Sequence, residues 1–137
     1  MSTAKTTKPD GNVIAKGDAG LTKIWQAFRN SLDGLAAAYR HEAAFRLEVW
    51  TAAVLIPAAL FLPVGAIGRA LLIGSILVVL LCELVNSAIE AAVDRISLER
   101  HPLAKRAKDI GSAAVLMALI NAGVVWVCVL FARFGPV

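Results

Sequence analysis

Glu83-Leu-Val-Asn86-Ser-Ala-Ile-Glu90-Ala-Ala-Val-Asp94 sets three carboxylates and one amide at the end of an otherwise apolar run. A helix turns about 100° per residue, so positions 83, 86, 90 and 94 fall at roughly 0°, 300°, 340° and 20°, on one narrow face. Ionisable groups inside an apolar span are costly and mark function by default. A stripe of this kind, running from membrane depth out to water, suits chemistry at the lipid–water boundary. Mg²⁺ prefers oxygen ligands and is commonly held by one or two carboxylates together with substrate phosphates. Glu90 has the depth for that task, and Glu42 is expected at a similar level. Glu83 sits deeper, where a partly desolvated carboxylate suits a general base acting on a lipid hydroxyl.

Each member of the stripe also has a structural alternative. Glu83 and Asn86 could serve as hydrogen-bonding links between helices, and Asp94 as an exposed partner of Arg95 or Arg100. Arg46 and Glu48 could be interfacial side chains reaching toward water. His41 and His101 are lone histidines not expected to ligate metal. The joint arrangement is harder to explain structurally than any one member.

The elements that must position these groups are helical. Leu21, Ile24, Trp25, Phe28, Leu32, Leu35 and Tyr39 recur at helical spacing with Lys23, Gln26, Arg29, Asn30 and Asp33 between them. That pattern predicts an amphipathic helix over about 20–40, lying in the membrane interface. Residues 1–18, rich in Lys, Thr, Gly and Asp, read as a disordered basic tail, with no apolar stretch expected to act as a signal peptide. Spans are expected at about 43–62, 66–94 and 104–133. Pro57 interrupts the first, which spans tolerate, and Pro63, Gly65 and Gly68 make a short turn. Pro102 is suited to open the last helix. From Arg69 to Glu83 the rise is about 21 Å, which puts Glu83 roughly 5–10 Å inside a hydrocarbon core of about 30 Å. Ala107, Gly111, Ala114, Ala118 and Ala122 form a small-residue stripe suited to close helix packing. Asn121 stands apart as a polar residue within the third span.

Composition agrees. Of 137 residues, 58% are hydrophobic, and the mean hydropathy is +0.71. A chain this apolar exceeds what a soluble core accommodates. The net charge is +4, but its placement matters more. Basic residues cluster before and at the start of the first span and again between Arg95 and Lys108, leaving only Arg69 and Arg133 elsewhere. The positive-inside rule puts the N-terminus and the second connection in the cytoplasm. Charges that flank spans in this way argue against nucleic acid as a partner. Lys105, Arg106, Lys108 and Arg100 are placed to neutralise phosphate oxygens. Cys82 and Cys128 lie inside apolar runs and read as small hydrophobes. Neither a phosphate-binding G-x-x-x-x-G-K-[ST] loop nor a protein-kinase glycine loop is present, so a nucleotide would have to be held by side chains and metal.

The stretch from Glu83 to Asp94 resembles the signature E-x-x-N-[ST]-A-I-E-x-x-V-D of the prokaryotic diacylglycerol kinases. The similarity extends upstream to Glu42-Ala-Ala-Phe45-Arg46-x-Glu48 and downstream to Arg106-Ala-Lys108-Asp109-x-Gly111-Ser112-Ala-Ala-Val, covering roughly residues 21–135. Asp94-Arg95-Ile96 is similar to the Gram-negative branch of that family. The resemblance implies an all-α protein of the bacterial inner membrane: an interfacial helix plus three transmembrane helices per chain, assembled as a homotrimer with sites shared between subunits. It implies phosphoryl transfer from ATP, with Mg²⁺, to the free hydroxyl of diacylglycerol, giving phosphatidate. On the matching positions, Glu83 would accept the proton, Asn86 would orient the site, and Glu42 and Glu90 would hold magnesium. Asp94, Glu99, Arg100, His101, Lys108 and Asp109 would contact the nucleotide, with Lys23 and Asn30 joining them from the surface helix. Phe45, Arg46, Glu48, Ser112 and Trp126 would border the lipid groove together with Glu83. The chain departs from the family pattern at Lys23, Asn30, Leu32 and Leu47, where relatives carry Arg, Tyr, Trp and Gln.

Rival readings are distinguishable. The related undecaprenol kinases share the signature, usually with Thr where Ser87 stands, and would phosphorylate a polyprenol. A small proton-coupled transporter or channel subunit also carries a membrane glutamate, but predicts polar residues on both sides of the midplane. A non-catalytic assembly subunit predicts no ATP turnover.

Overall fold

The structure, a computed structural model of the chain, describes residues 15–96 and 101–136. Four helices follow one another, α1 (Ala15–His41), α2 (Ala43–Phe61), α3 (Ala66–Ile96) and α4 (Pro102–Phe134), and no strand occurs among the described residues. The last three are long and apolar enough to cross a membrane. In lipid every backbone polar group must be satisfied internally, which a continuous helix does. α2 therefore carries Pro57 without ending there.

Two compact units, Met1–Gly34 and Leu35–Val137, divide within α1. In the first, α1 begins at Ala15, inside the stretch expected to be tail. Ala15, Lys16 and Ala19 are good helix formers and extend the helix outward from the periodic segment. Residues 1–14 of the expected tail lie outside the described residues. Leu21, Ile24, Trp25, Phe28 and Leu32 are exposed, and the Trp25 and Phe28 rings approach at 5.8 Å between centroids. Gln26 donates to Asn30 Oδ1 across one turn at 3.0 Å.

In the second unit α3 is central and packs against both α2 and α4. The seam is visible as a repeat of buried positions. It runs through Phe45, Ala52 and Ala59 on α2, Leu72, Ser75, Ile76, Val79, Glu83 and Asn86 on α3, and Gly111 and Ala118 on α4. Steps of three, four and seven residues keep one helix face toward its neighbour. Apolar burial provides little drive between helices in lipid, so small residues that let backbones approach carry the packing. Of the expected small-residue stripe, Gly111 and Ala118 are buried, whereas Ala114 is exposed. Asn121, the polar residue that stands apart in the third span, is exposed within this chain. Cys82 is half-buried and Cys128 exposed, both as free thiols.

Leu72 is the largest side chain that is fully buried. Leu72→Ala leaves a void between rigid helices, and we expect a loss of about 2 kcal/mol, the low end for deleting a buried leucine side chain. Thermal unfolding of the purified variant in detergent checks this.

Backbone geometry fixes the two ends of the bundle. Between α1 and α2 only Glu42 intervenes, with an extended backbone at φ −104° and ψ 116°. Arg46 Nη1 donates to the Tyr39 and Arg40 carbonyls at 3.2 and 3.0 Å, satisfying oxygens that the end of α1 leaves without helical partners. At the opposite end, Arg133 Nε donates to the Pro63 carbonyl at 2.6 Å. This ties the short α2–α3 connection to the C-terminus of α4.

Candidate active site

α3 delivers Glu83, Asn86 and Glu90 to one side because their spacings of three and four residues keep them on one face. Glu83 and Asn86 are buried, at 5% and 8% exposure, and Glu90 is half-buried. Glu42 joins them from the α1–α2 junction. It occupies the N-cap position of α2, yet its side chain makes no capping hydrogen bond, leaving the carboxylate for other partners. α4 contributes Ser112 and Val115. Together with Ala44 these residues line a cavity of about 330 Å³. Three carboxylates thus share a small pocket whose lining contains no lysine or arginine.

Within the cavity, Asn86 Nδ2 donates to Glu90 Oε1 at 3.1 Å, while Asn86 Oδ1 is buried without a partner among the described residues. Among the described residues no three His, Cys, Asp or Glu side chains are gathered closely enough to enclose a metal by themselves. A pair of carboxylates with open room beside them instead fits Mg²⁺, which keeps several ligands from water and substrate phosphates.

Beside this pocket runs a second cavity, about 370 Å³, formed between α2, α3 and α4. Its lining is almost wholly apolar, including Leu47, Leu55, Ile76, Val79, Leu80 and Leu119, and Ala44 belongs to both cavities. Three side chains with polar atoms interrupt it, Glu48, Thr51 and Trp126, of which the Thr51 hydroxyl donates to the Leu47 carbonyl at 2.9 Å. Glu48 Oε2 and Trp126 Nε1 are buried and have no partner among the described residues. An acceptor and a donor held without partners in an apolar groove suit a ligand with a long apolar body and a few polar atoms.

Other residues expected at the site are placed differently. Ser112, expected in the lipid groove, lines the acidic cavity instead. Phe45 is buried and lines neither cavity. Arg46 likewise lines neither and holds the end of α1, because the extended Glu42 junction brings two orphan carbonyls within its reach. Lys108 pairs with Asp94 at 2.6 Å, joining α4 to α3, and Asp109 pairs with Lys105 at 2.6 Å across one turn. His101 caps α4, its Nδ1 accepting from Leu103 N at 3.2 Å, with Pro102 opening the helix. Glu99 and Arg100 lie outside the described residues. Lys23 and Asn30 belong to the first unit. The aliphatic residues that line the groove and Gly111 carried no functional signal in the sequence beyond packing, since an apolar or small residue inside an apolar run does not show which way it faces, whereas Glu48 and Trp126 were expected there.

These features define an all-helical membrane protein with a carboxylate pocket at one end and an apolar groove opening beside it. The model of the prokaryotic diacylglycerol kinase family matches residues 29–130. The chain is 54% identical over 115 residues to a diacylglycerol kinase of Pseudomonas aeruginosa, covering 84% of this chain and 94% of that protein. It is 48% identical over 122 residues to the diacylglycerol kinase of Escherichia coli, covering 89% of this chain and all of that protein. A third relative, the diacylglycerol kinase of Haemophilus influenzae, is 48% identical over 112 residues. The chain belongs to the prokaryotic diacylglycerol kinase family, and it is a kinase.

Proposed function

We propose that the chain phosphorylates the free hydroxyl of diacylglycerol with ATP, giving phosphatidate at the cytoplasmic face of the bacterial inner membrane. The observation that carries this reading is the junction at Ala44, where a pocket lined by Glu42, Glu83, Asn86 and Glu90 meets an apolar groove. A lipid lying in the groove, its ester oxygens near Trp126 Nε1 and its polar head near Glu48, would present its hydroxyl to the carboxylates.

In this mechanism the hydroxyl oxygen bonds to the γ-phosphorus of ATP as the bond from that phosphorus to the β,γ-bridging oxygen breaks. ADP leaves, and the hydroxyl proton passes to Glu83. Glu42 and Glu90 would hold Mg²⁺, which would supply charge neutralisation for the transferring phosphoryl group. Asn86 keeps Glu90 oriented through its amide. Lys108 would turn from Asp94 to phosphate oxygens, and Asp94, Glu99, Arg100, His101 and Asp109 would contact the nucleotide. The exposed apolar residues of α1 suit burial in the membrane interface. α4 leaves much of its apolar length unburied within one chain, which suits a homotrimer whose neighbours cover these faces and complete the sites.

The test is ATP-dependent phosphate incorporation into diacylglycerol and undecaprenol by the purified chain in mixed micelles. Phosphatidate should dominate the labelled product. Dominant labelling of the polyprenol would overturn the substrate assignment, and absence of ATP turnover with either lipid would overturn the reading as a whole.

A further inference from the structure

Gly111 sits on α4 directly opposite the amide of Asn86 on α3. A Cβ at position 111 would overlap Asn86 Oδ1 and press on Asn86 Cγ at 3.3 Å. The overlap involves a buried amide with little freedom to retreat, since Asn86 is 8% exposed and its Nδ2 is committed to Glu90 Oε1. Glu90, when ionised, only accepts hydrogen bonds. The amide must therefore turn its nitrogen toward Glu90 and its oxygen toward Gly111. That oxygen has no hydrogen-bond donor among the described residues. The bare Cα of a glycine is the one surface that lets it lie there without steric conflict.

We propose that Gly111 is a positioning residue for the carboxylate pocket, acting through Asn86 to fix the direction in which Glu90 presents its oxygens. The inference rests on the reading of Glu90 as a metal-holding carboxylate. Partners one step behind a metal ligand commonly set affinity over 10- to 100-fold. Any side chain at 111 displaces the Asn86 amide, and Glu90 then loses the bond that orients it. The effect would pass between helices, so α3–α4 packing and the pocket's affinity for the metal–nucleotide complex would be coupled at this one contact.

Binding of Mn²⁺ by the full-length protein in lipid micelles, followed by electron paramagnetic resonance with a non-hydrolysable ATP analogue, tests this without turnover. Gly111→Ala should weaken Mn²⁺ binding by about 10-fold or more. Asn86→Ala should weaken it similarly. Because both act on one contact, the double variant should be little worse than Asn86→Ala. The double variant also removes the overlap, so it keeps the test open if Gly111→Ala folds poorly alone. Wild-type Mn²⁺ affinity in a folded Gly111→Ala protein would overturn the proposal, as would losses that multiply in the double variant. Glu90→Gln is measured alongside. If it weakens binding while Gly111→Ala does not, only the positioning role fails. If Glu90→Gln itself binds Mn²⁺ normally, the metal-holding reading fails and the Gly111 proposal with it.

Discussion

Glu83→Gln lowers turnover by about 10²–10⁴-fold, the usual range for removing a general base, while leaving the apparent affinity for MgATP close to that of the parent chain. The expectation follows from position. Glu83 is the most buried of the three pocket carboxylates and lies on α3 nearer the middle of that helix than Glu90. A hydroxyl delivered from the apolar groove, which joins the pocket at Ala44, would enter the lining that Glu83 shares with the half-buried Glu42 and Glu90. Glutamine keeps the shape and one acceptor oxygen but cannot take the proton at useful basicity. An interaction made only in the transition state lowers kcat and kcat/KM together. Steady-state kinetics in mixed micelles, with ATP and lipid varied separately, give the split. Near-normal turnover in Glu83→Gln would remove this residue from the proton-transfer step, and a loss confined to KM for ATP would move it to nucleotide binding.

The sequence exposed the helical scaffold and the acidic pocket because both rest on periodicity. Long apolar runs divided by the Pro63–Gly65 turn and by the charged segment before Pro102 can hardly be anything but spanning helices. Four polar residues spaced by three and four within such a run must share a face, so Glu83, Asn86 and Glu90 were legible together. Two kinds of information were not. The first is the direction of an apolar side chain. Ile76, Val79 and Leu119 look like their neighbours in sequence, and only packing shows that they line a groove. The second is contact between residues far apart in sequence. Gly111 reads as one more small residue on a packing stripe until the Asn86 amide is seen against it. Arg46 illustrates the same limit, because its sequence neighbour Glu48 lines the groove while its own guanidinium turns back to the carbonyls of α1.

Glu90→Gln should reduce kcat/KM by about 10³-fold or more, corresponding to about 4 kcal/mol at roughly 1.4 kcal/mol per tenfold change. It should also raise the concentration of Mg²⁺ needed for half-maximal activity. The pairing of these effects separates it from Glu83→Gln. Glu90 and Glu42 enter the pocket from different elements, one from α3 and one from the α1–α2 junction. A divalent cation between them would offset the mutual repulsion of the carboxylates and gather phosphate oxygens at the same point. Removing one charge from the pair weakens the hold on the metal before any chemistry occurs. Excess Mg²⁺ or Mn²⁺ should then recover part of the activity of Glu90→Gln and none of the activity of Glu83→Gln, since no metal concentration replaces a proton acceptor. Glutamine at 90 also keeps an amide oxygen to receive the Asn86 bond, so the side chain's orientation is preserved and the lost charge is isolated as the cause. A Glu90→Gln protein with an unchanged Mg²⁺ requirement would place the metal elsewhere in the pocket and leave Glu90 to the orientation of its neighbours.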